Sequence, residues 1–346
     1  MTASFAELSA TSNFTFLTGA SHPEDYMHRA ALSGVAIADD NSVAGIVRAH
    51  SAARDIARQV AERRNWEAQN GPIGPPAPTP QAPTWANTPR LIPAARLILV
   101  EGLNLTALPE NRTGWASLCR LLTTGRRRAN KGACHLCLDD LLARAEGLTL
   151  LLHPPHQQPG ARAWLRQAQR LTRRLGPKMY LMMSPRYDGQ DGTRFDTLNT
   201  LADRLGIPTI ASAAPRMHHG RRRRLADVLT AIRTGTRVEA LGRAALANGE
   251  QRLRSETEIR RLLRGHEGAI TRATTLADSL TFCLSSLRYE YPSEVAPNET
   301  PTTRLRRLAE AGLTWRYPQG ASARVRKMME HELSLIAKLK YEPYFL

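Results

Sequence analysis

Short runs of residues that are apolar on both faces recur along this chain, each followed by a helical stretch, and that recurrence most narrows its fold. Val35 to Ala38, Ala95 to Val100, Leu148 to Leu152 and residues 178–183 and 207–212 are such runs. A strand without a polar face belongs in a parallel sheet covered by helices. The intervening stretches have helical character. Ser42 to Arg64 carries Val43, Ile46, Val47, Ile56 and Val60 in helical spacing, and 115–122, 139–145, 161–175 and 194–205 follow. Repeated strand-helix units without a glycine fingerprint point to a barrel rather than a dinucleotide-binding sheet. Sites in such architectures are built on the loops that follow strands.

The first unit, Phe5 to Val47, is the most explicit. Phe5, Ala6 and Leu8 predict a strand, and a polar loop containing Gly19 follows it. His22-Pro23-Glu24-Asp25 opens a helix, with proline at its start and acid near its positive end. Gly34 is expected to stop that helix before the strand Val35-Ala36-Ile37-Ala38, and Asp39-Asp40-Asn41-Ser42 to cap the next helix.

A length of 346 residues with 42% hydrophobic residues allows two domains, or one large barrel with an appendage. The formal charge of +17 favours a polyanionic partner, nucleic acid before an anionic membrane surface. No apolar run approaches the roughly 18 residues a spanning helix needs. There is no basic segment leading into an apolar core at the N-terminus, and four cysteines make no disulfide framework, so a cytoplasmic location is expected.

Residues 65–93 turn to Pro, Gly and Ala and read as an extended insertion within the first domain, which is expected to span 1–280. Ser255 to Leu280 is expected to be helical. Residues 281–346 form a second, incomplete helical segment, with a helical pair over 301–339 broken near Tyr317-Pro318. The aromatic, apolar end Tyr344-Phe345-Leu346 reads as a truncation.

The residues Ala6-Glu7-Leu8, Ser12 to Leu17, Gly19 to Glu24 and Ala36 to Asn41 together resemble the start of the PHP domain (polymerase and histidinol phosphatase family). The form resembled is that of bacterial error-prone DNA polymerases of the C family. Trp115 to Gly125 with Lys131-Gly132, Asp227 to Arg233, Leu287 to Pro292, Glu332 to Ile336 and Tyr341 to Leu346 extend the likeness over most of the chain. It implies an α/β fold: a distorted (β/α)7 barrel of PHP type followed by a short helical segment that begins the polymerase module.

The same resemblance implies a degenerate metal pocket. The family's His-x-His pair falls on Ser9 and Thr11, and its Thr-Asp-His on Ala38, Asp39 and Asp40. Arg96 stands at a later Glu position, and Ala213-Ala214-Pro215-Arg216 replaces an Asn-Asp-x-His stretch. Asp39 and His153 remain, too few for a cluster of ions, and arginines among them repel cations. Arg96 and Arg216 could replace metal charge with fixed cations. Polymerisation needs clustered carboxylates holding two divalent ions. The chain contains no Asp-x-Asp, which in the family lies farther along. The intact polymerase is expected to use Mg²⁺ and to work with DNA, other translesion-synthesis proteins and the sliding clamp, whereas this chain is expected to need no cofactor and to be catalytically silent. The alternatives are a free-standing PHP phosphoesterase, which stoichiometric metal and phosphate-ester turnover would support, and a non-catalytic DNA-binding module.

Two further patterns bear on chemistry. Cys134-His135-Leu136-Cys137, with His153 and His156 downstream, has zinc-like spacing, but one Cys-x2-Cys pair is weak and the following Asp139-Asp140 suggests entry into a helix. The basic groups Arg126, Arg127, Arg128 and Lys131, read as a loop, and Arg221, Arg222, Arg223 and Arg224 are candidates for phosphate contacts. Such contacts would be insensitive to base sequence and sensitive to salt. No aromatics are interleaved with them to make a base-stacking platform.

Overall fold

A computed structural model describes residues 5–30, 32, 34–71, 90–155, 162–287 and 298–346. The chain divides into two compact units, Met1–Ser286 and Leu287–Leu346. The first is mixed α/β. Its strands are β1 (Ala6–Ala10), β2 (Gly34–Asp40), β3 (Leu91–Ile98), β4 (Asn104–Pro109), β5 (Leu148–His153), β6 (Met179–Met183) and β7 (Thr209–Ala211). Its helices are α1 (Pro23–Arg29), α2 (Ala44–Asn70), α3 (Arg112–Arg127), α4 (Leu138–Arg144), α5 (Arg162–Leu175), α6 (Asp191–Leu205), α7 (Arg223–Thr234), α8 (Glu256–Leu262) and α9 (Glu267–Ser279).

The seven strands form one sheet in which spatial order equals chain order. β1, β2 and β3 run parallel, as do β5, β6 and β7, while β4 is antiparallel to both of its neighbours. The expectation of a parallel sheet is corrected at β4. Gly102, at φ 82, turns the chain back after β3. Asn104 and Thr106 interrupt the apolar pattern of the returning strand, which hides it from a search for apolar runs.

Between β1 and β7 no ladder exists among the described residues, and side chains close the gap. The fully buried Glu7 carboxylate of β1 accepts hydrogen bonds from Ser9 N (2.9 Å), from the Ser212 hydroxyl and from Ala213 N (2.9 Å) just after β7. The Thr11 N–H adds a 2.9 Å bond to Pro215 O. α9 packs on both β1 and β7. The result is a nearly closed seven-stranded barrel whose core includes Phe5, Leu8, Ile37, Leu97, Leu105, Leu150, Leu181 and Ile210.

Local boundaries differ from expectation where tertiary bonds outweigh local signals. α1 ends at Arg29, and Gly34 begins β2 rather than stopping the helix; an isoleucine side chain from β3 lies where a Cβ would project. Asp39 does not cap α2, whose first turn instead receives the Ser42 hydroxyl at Ala44 N, 3.2 Å. α2 continues to Asn70, past the expected end at Arg64, and β3 starts at Leu91 rather than Ala95. Of the Pro-rich insertion, 72–89 lie outside the described residues, as do His156 and most of 287–292. Arg126 and Arg127 form the last turn of α3 and Arg128 its C-cap, where a loop was expected; cations at a helix C-terminus complement its dipole.

The second unit holds α10 (Pro301–Arg316), α11 (Ala323–Leu339) and α12 (Glu342–Phe345). Thr300 and Ser322 cap the first two at their N-termini. Arg306 forks onto Glu330 at 2.6 and 2.8 Å to join α10 to α11, and Thr302 donates to Glu342 at 2.7 Å to join α10 to α12.

Candidate functional site

The strand directions put the C-terminal ends of six strands and the start of β4 on one face of the barrel. Ser9, Thr11, Asp39, Asp40, Arg96, His153, Ala214 and Arg216 come from these ends or the loops just beyond them. The positions that the sequence suggested for a degenerate pocket thus share one rim, and the bonds they make define its chemistry.

Ser9 and His153 are joined through a residue from the unexpected strand. The Ser9 hydroxyl meets Thr106 Oγ1 at 2.8 Å, and Thr106 Oγ1 meets His153 Nε2 at 2.8 Å. β1 and β4 are not sheet neighbours, so this chain crosses the barrel interior. Thr11 uses its backbone, with its carbonyl accepting from the buried Tyr26 hydroxyl at 2.9 Å.

Asp39 is almost wholly buried and engaged. Its Oδ1 accepts from Ser12 N and Thr15 Oγ1, both at 2.8 Å, and its Oδ2 from the Ser12 hydroxyl at 2.7 Å. Burial raises its carboxyl above the ordinary value, with the Ser12 and Thr15 bonds pulling the other way. Gly45, in the first turn of α2, lies so close that a Cβ there would sit 2.7 Å from Asp39 Oδ2. The carboxylate organises the loop after β1 rather than facing an open coordination position.

Asp40 pairs with Arg96 on β3, its direct register partner. Arg216 follows Ala214, which holds a left-handed backbone at φ 45. The Arg216 N–H donates to Gln251 O at 3.0 Å and its carbonyl accepts from Ala20 N at 2.8 Å, so the backbone is fixed on both sides. Its half-buried guanidinium has no hydrogen-bond or carboxylate partner among the described residues.

This donor set does not fit a metal ion. Asp39 spends its lone pairs on three protein donors, Asp40 is neutralised by Arg96, His153 is bonded through Nε2, and the remaining rim positions are hydroxyl, methyl or guanidinium. Among the described residues no three His, Cys, Asp or Glu side chains converge. The zinc-like pair meets the same limit. Cys134 packs into the core edge beside Gly125, with burial pushing its thiol up, and Cys137 precedes α4.

The basic runs approach this rim from two sides. Arg126 donates to Asn41 O at 2.7 Å, just after β2, and Arg222 reaches Asp25 of α1 at 3.3 Å. Arg128 is committed to Asp140 at 2.6 Å and Arg223 to Asp227 at 2.8 Å. Arg127, Lys131, Arg221 and Arg224 are exposed and have no ion-pair partner among the described residues. A separate groove of about 390 Å³, lined by Glu24, Arg48, Asp55 and Arg58 among others, lies between α1 and α2, away from the rim.

Sequence reading did not identify Glu7, Ser12, Thr15, Thr106 or Ser212 as parts of this network. A lone Glu between Ala6 and Leu8 in a strand was the available signal for the first, because an ionisable group there must find buried partners. Nothing local marks Thr106.

Comparison with known proteins adds a lineage to this geometry. An error-prone DNA polymerase of Ruegeria pomeroyi is 43% identical over 99% of this chain, which covers 32% of that protein. One of Sinorhizobium medicae is 38% identical over 99% of the chain and 28% of its own length. One of Rhodopseudomonas palustris is 35% identical over 99% of the chain and 29% of its own length. The chain thus spans about a third of the length of these relatives. No protein-family model matches it. Among solved structures, it is similar to a Bifidobacterium adolescentis protein described as a metal-dependent phosphoesterase, at 12% identity and TM-score 0.38, covering 61% of this chain and 87% of that one. An amidohydrolase from Chromobacterium violaceum shows 12% identity and TM-score 0.36, with 60% and 86% covered. No helix among the described residues is long and apolar enough to cross a membrane.

Proposed function

We propose that this chain is the barrel-bearing part of an error-prone DNA polymerase, acting in the cytoplasm during damage-tolerant, DNA-templated synthesis. The observation that carries the reading is the 43% identity along essentially the whole chain to a protein of that name. In this reading nucleotidyl transfer, with Mg²⁺ held by clustered carboxylates, belongs to residues outside the chain, which has no Asp-x-Asp. Other translesion-synthesis proteins and the sliding clamp are partners of the whole polymerase.

The barrel itself is a scaffold and a phosphate-contacting surface, catalytically silent both as a polymerase and as a phosphoesterase. Its rim supports this, because the positions that would ligate ions are hydrogen-bonded, ion-paired or cationic. The exposed Arg127, Lys131, Arg221 and Arg224, with a formal charge of +17, supply a field for the DNA backbone.

The test uses the full chain. Primer extension with Mg²⁺ and hydrolysis of a phosphate monoester with Mn²⁺ should both stay at background, while duplex DNA binds at low salt and releases steeply as salt rises. Metal-dependent ester turnover would replace this reading with a phosphoesterase. Absence of low-salt binding would remove the DNA-binding role.

A further inference from the structure

Arg216 is the least compensated charge of the barrel rim. Other half-buried arginines of this unit have partners. Arg254 pairs with Glu250 and Glu258, Arg194 with Asp188 and Asp191, and Arg272 donates to Thr209. Removing a guanidinium from water costs several kcal/mol unless an anion or acceptor replaces the lost hydration. Arg216 bears that cost with no protein acceptor, on a backbone fixed by Gln251 and Ala20. Its charged neighbours make the deficit larger. Arg96 from β3 and Arg233 from α7 act on it with like charge, and Asp40 with opposite charge, but Asp40 is already held by Arg96. Burial, reinforced by Arg96 and Arg233, lowers the Arg216 pKa from its ordinary value, although a guanidinium remains protonated in a protein.

We infer that Arg96, Arg216 and Arg233 form a receptor for a phosphate-type dianion at the barrel rim, a site for an anion where the resembling enzymes hold cations. The three arginines and Asp40 sum to a formal charge of about +2, which matches a phosphate at neutral pH. Guanidinium forks bind phosphate oxygens through paired, charge-assisted hydrogen bonds, and a partly desolvated setting strengthens them. The Arg216 fork is the free anchor. Arg96 bridges Asp40 to the ligand, and the exposed Arg233 closes the outer side. The site rests on rim side chains alone and stands whether or not the chain works within a polymerase. Inorganic phosphate or pyrophosphate and the 5′-terminal phosphate of DNA share this chemistry.

The experiment titrates the full chain with inorganic phosphate, pyrophosphate and chloride at constant ionic strength, reading the thermal midpoint and heat of binding. In parallel, short oligonucleotides with and without a 5′-phosphate are titrated. Phosphate or pyrophosphate should raise the midpoint where chloride does not, and R216Q should weaken that binding tenfold or more. In anion-free buffer R216Q should unfold at the same temperature as the parent chain or higher, since it removes an uncompensated charge. D40N, which removes the competing carboxylate, should tighten binding. A preference only for the 5′-phosphorylated oligonucleotide, lost in R216Q, would support the receptor and assign the terminal phosphate as its ligand. Equal responses to phosphate and chloride, with no 5′-phosphate preference, would overturn it, and so would undiminished binding by R216Q. Loss of duplex binding alone bears on the DNA role and leaves this result intact.

Discussion

Glu7 and Ala213, 206 residues apart, are joined by a 2.9 Å hydrogen bond from the Ala213 N–H to Glu7 Oε2. That carboxylate also accepts from Ser9 N and the Ser212 hydroxyl, so one buried side chain spans the gap between the first and last strands. All three partners donate, which a carboxylate satisfies and an amide does not.

The first prediction follows directly. E7Q places an NH₂ group against at least one donor and should destabilise the barrel by about 1–3 kcal/mol, read as a lower midpoint in denaturant unfolding. Burial raises the Glu7 pKa above 4.5, with the Ser212, Ser9 and Ala213 bonds opposing it. The folded state therefore holds the Glu7 proton more tightly than the unfolded state. The stability linked to it is full below the unfolded pKa and falls as pH rises through the folded value. The gap between the parent chain and E7Q should narrow from pH 4.5 towards neutrality; a gap that widens would contradict this account.

G45A should disrupt the loop after β1. The added Cβ would sit 2.7 Å from Asp39 Oδ2 and 3.0 Å from the Ser12 hydroxyl. The intrinsic helix gain from Gly to Ala is only about 1 kcal/mol, smaller than the cost of leaving a buried carboxylate short of a donor, about 1–3 kcal/mol. Net destabilisation is expected, with faster amide exchange at Ser12. A stabilised G45A would show that Asp39 is not held as described.

Glu258 gives an acid-side signature. Burial works against its ionised form, but the Arg252 fork at 2.6 Å, Ser255 N at 3.0 Å and Arg254 at 2.9 Å bring its pKa down to about 2. Its folded pKa lies below its unfolded one, so its contribution is present above pH 4.5 and lost as pH falls towards 2. The carboxylate is partly exposed, and screening limits the effect to about 1 kcal/mol. E258Q should be less stable than the parent chain at pH 6 and converge with it near pH 2.

The exposed basic groups predict a salt effect. Replacing Arg127, Lys131, Arg221 and Arg224 by alanine should reduce the slope of log affinity against log salt for duplex DNA, by about 0.9 for each phosphate no longer neutralised. Alanine at Arg128 and Arg223, which are tied to Asp140 and Asp227, should change it little. Equal effects from both sets would mean that the ion pairs open on binding.

Much of the fold was legible because apolar runs such as Leu148 to Leu152 and Val35 to Ala38 leave few alternatives to covered strands. β4 was not, since Asn104 and Thr106 are polar for reasons visible only across the barrel, where Thr106 meets Ser9 and His153. The rim positions were legible through resemblance, but not their bonding. Asp39 looks like a helix cap in sequence, and its actual partners, Ser12 and Thr15, lie 27 and 24 residues away. Arg126 to Arg128 looked like loop because charge runs carry no helical period, yet the apolar face of α3 ahead of them, with Leu118, Leu121 and Leu122, draws the helix on.

Because each strand pairs with the strand before it in the chain, the barrel lends itself to vectorial assembly as it leaves the ribosome. Every ladder can form from adjacent, already synthesised segments, and the loops to be closed are short. The seam is the exception. Glu7 must wait, unsatisfied, until Ser212 and Ala213 have emerged, so the first strand carries its ionisable group as a latch for the last. A nascent chain stalled before that point would hold a curled but open sheet, with β1 as its exposed edge.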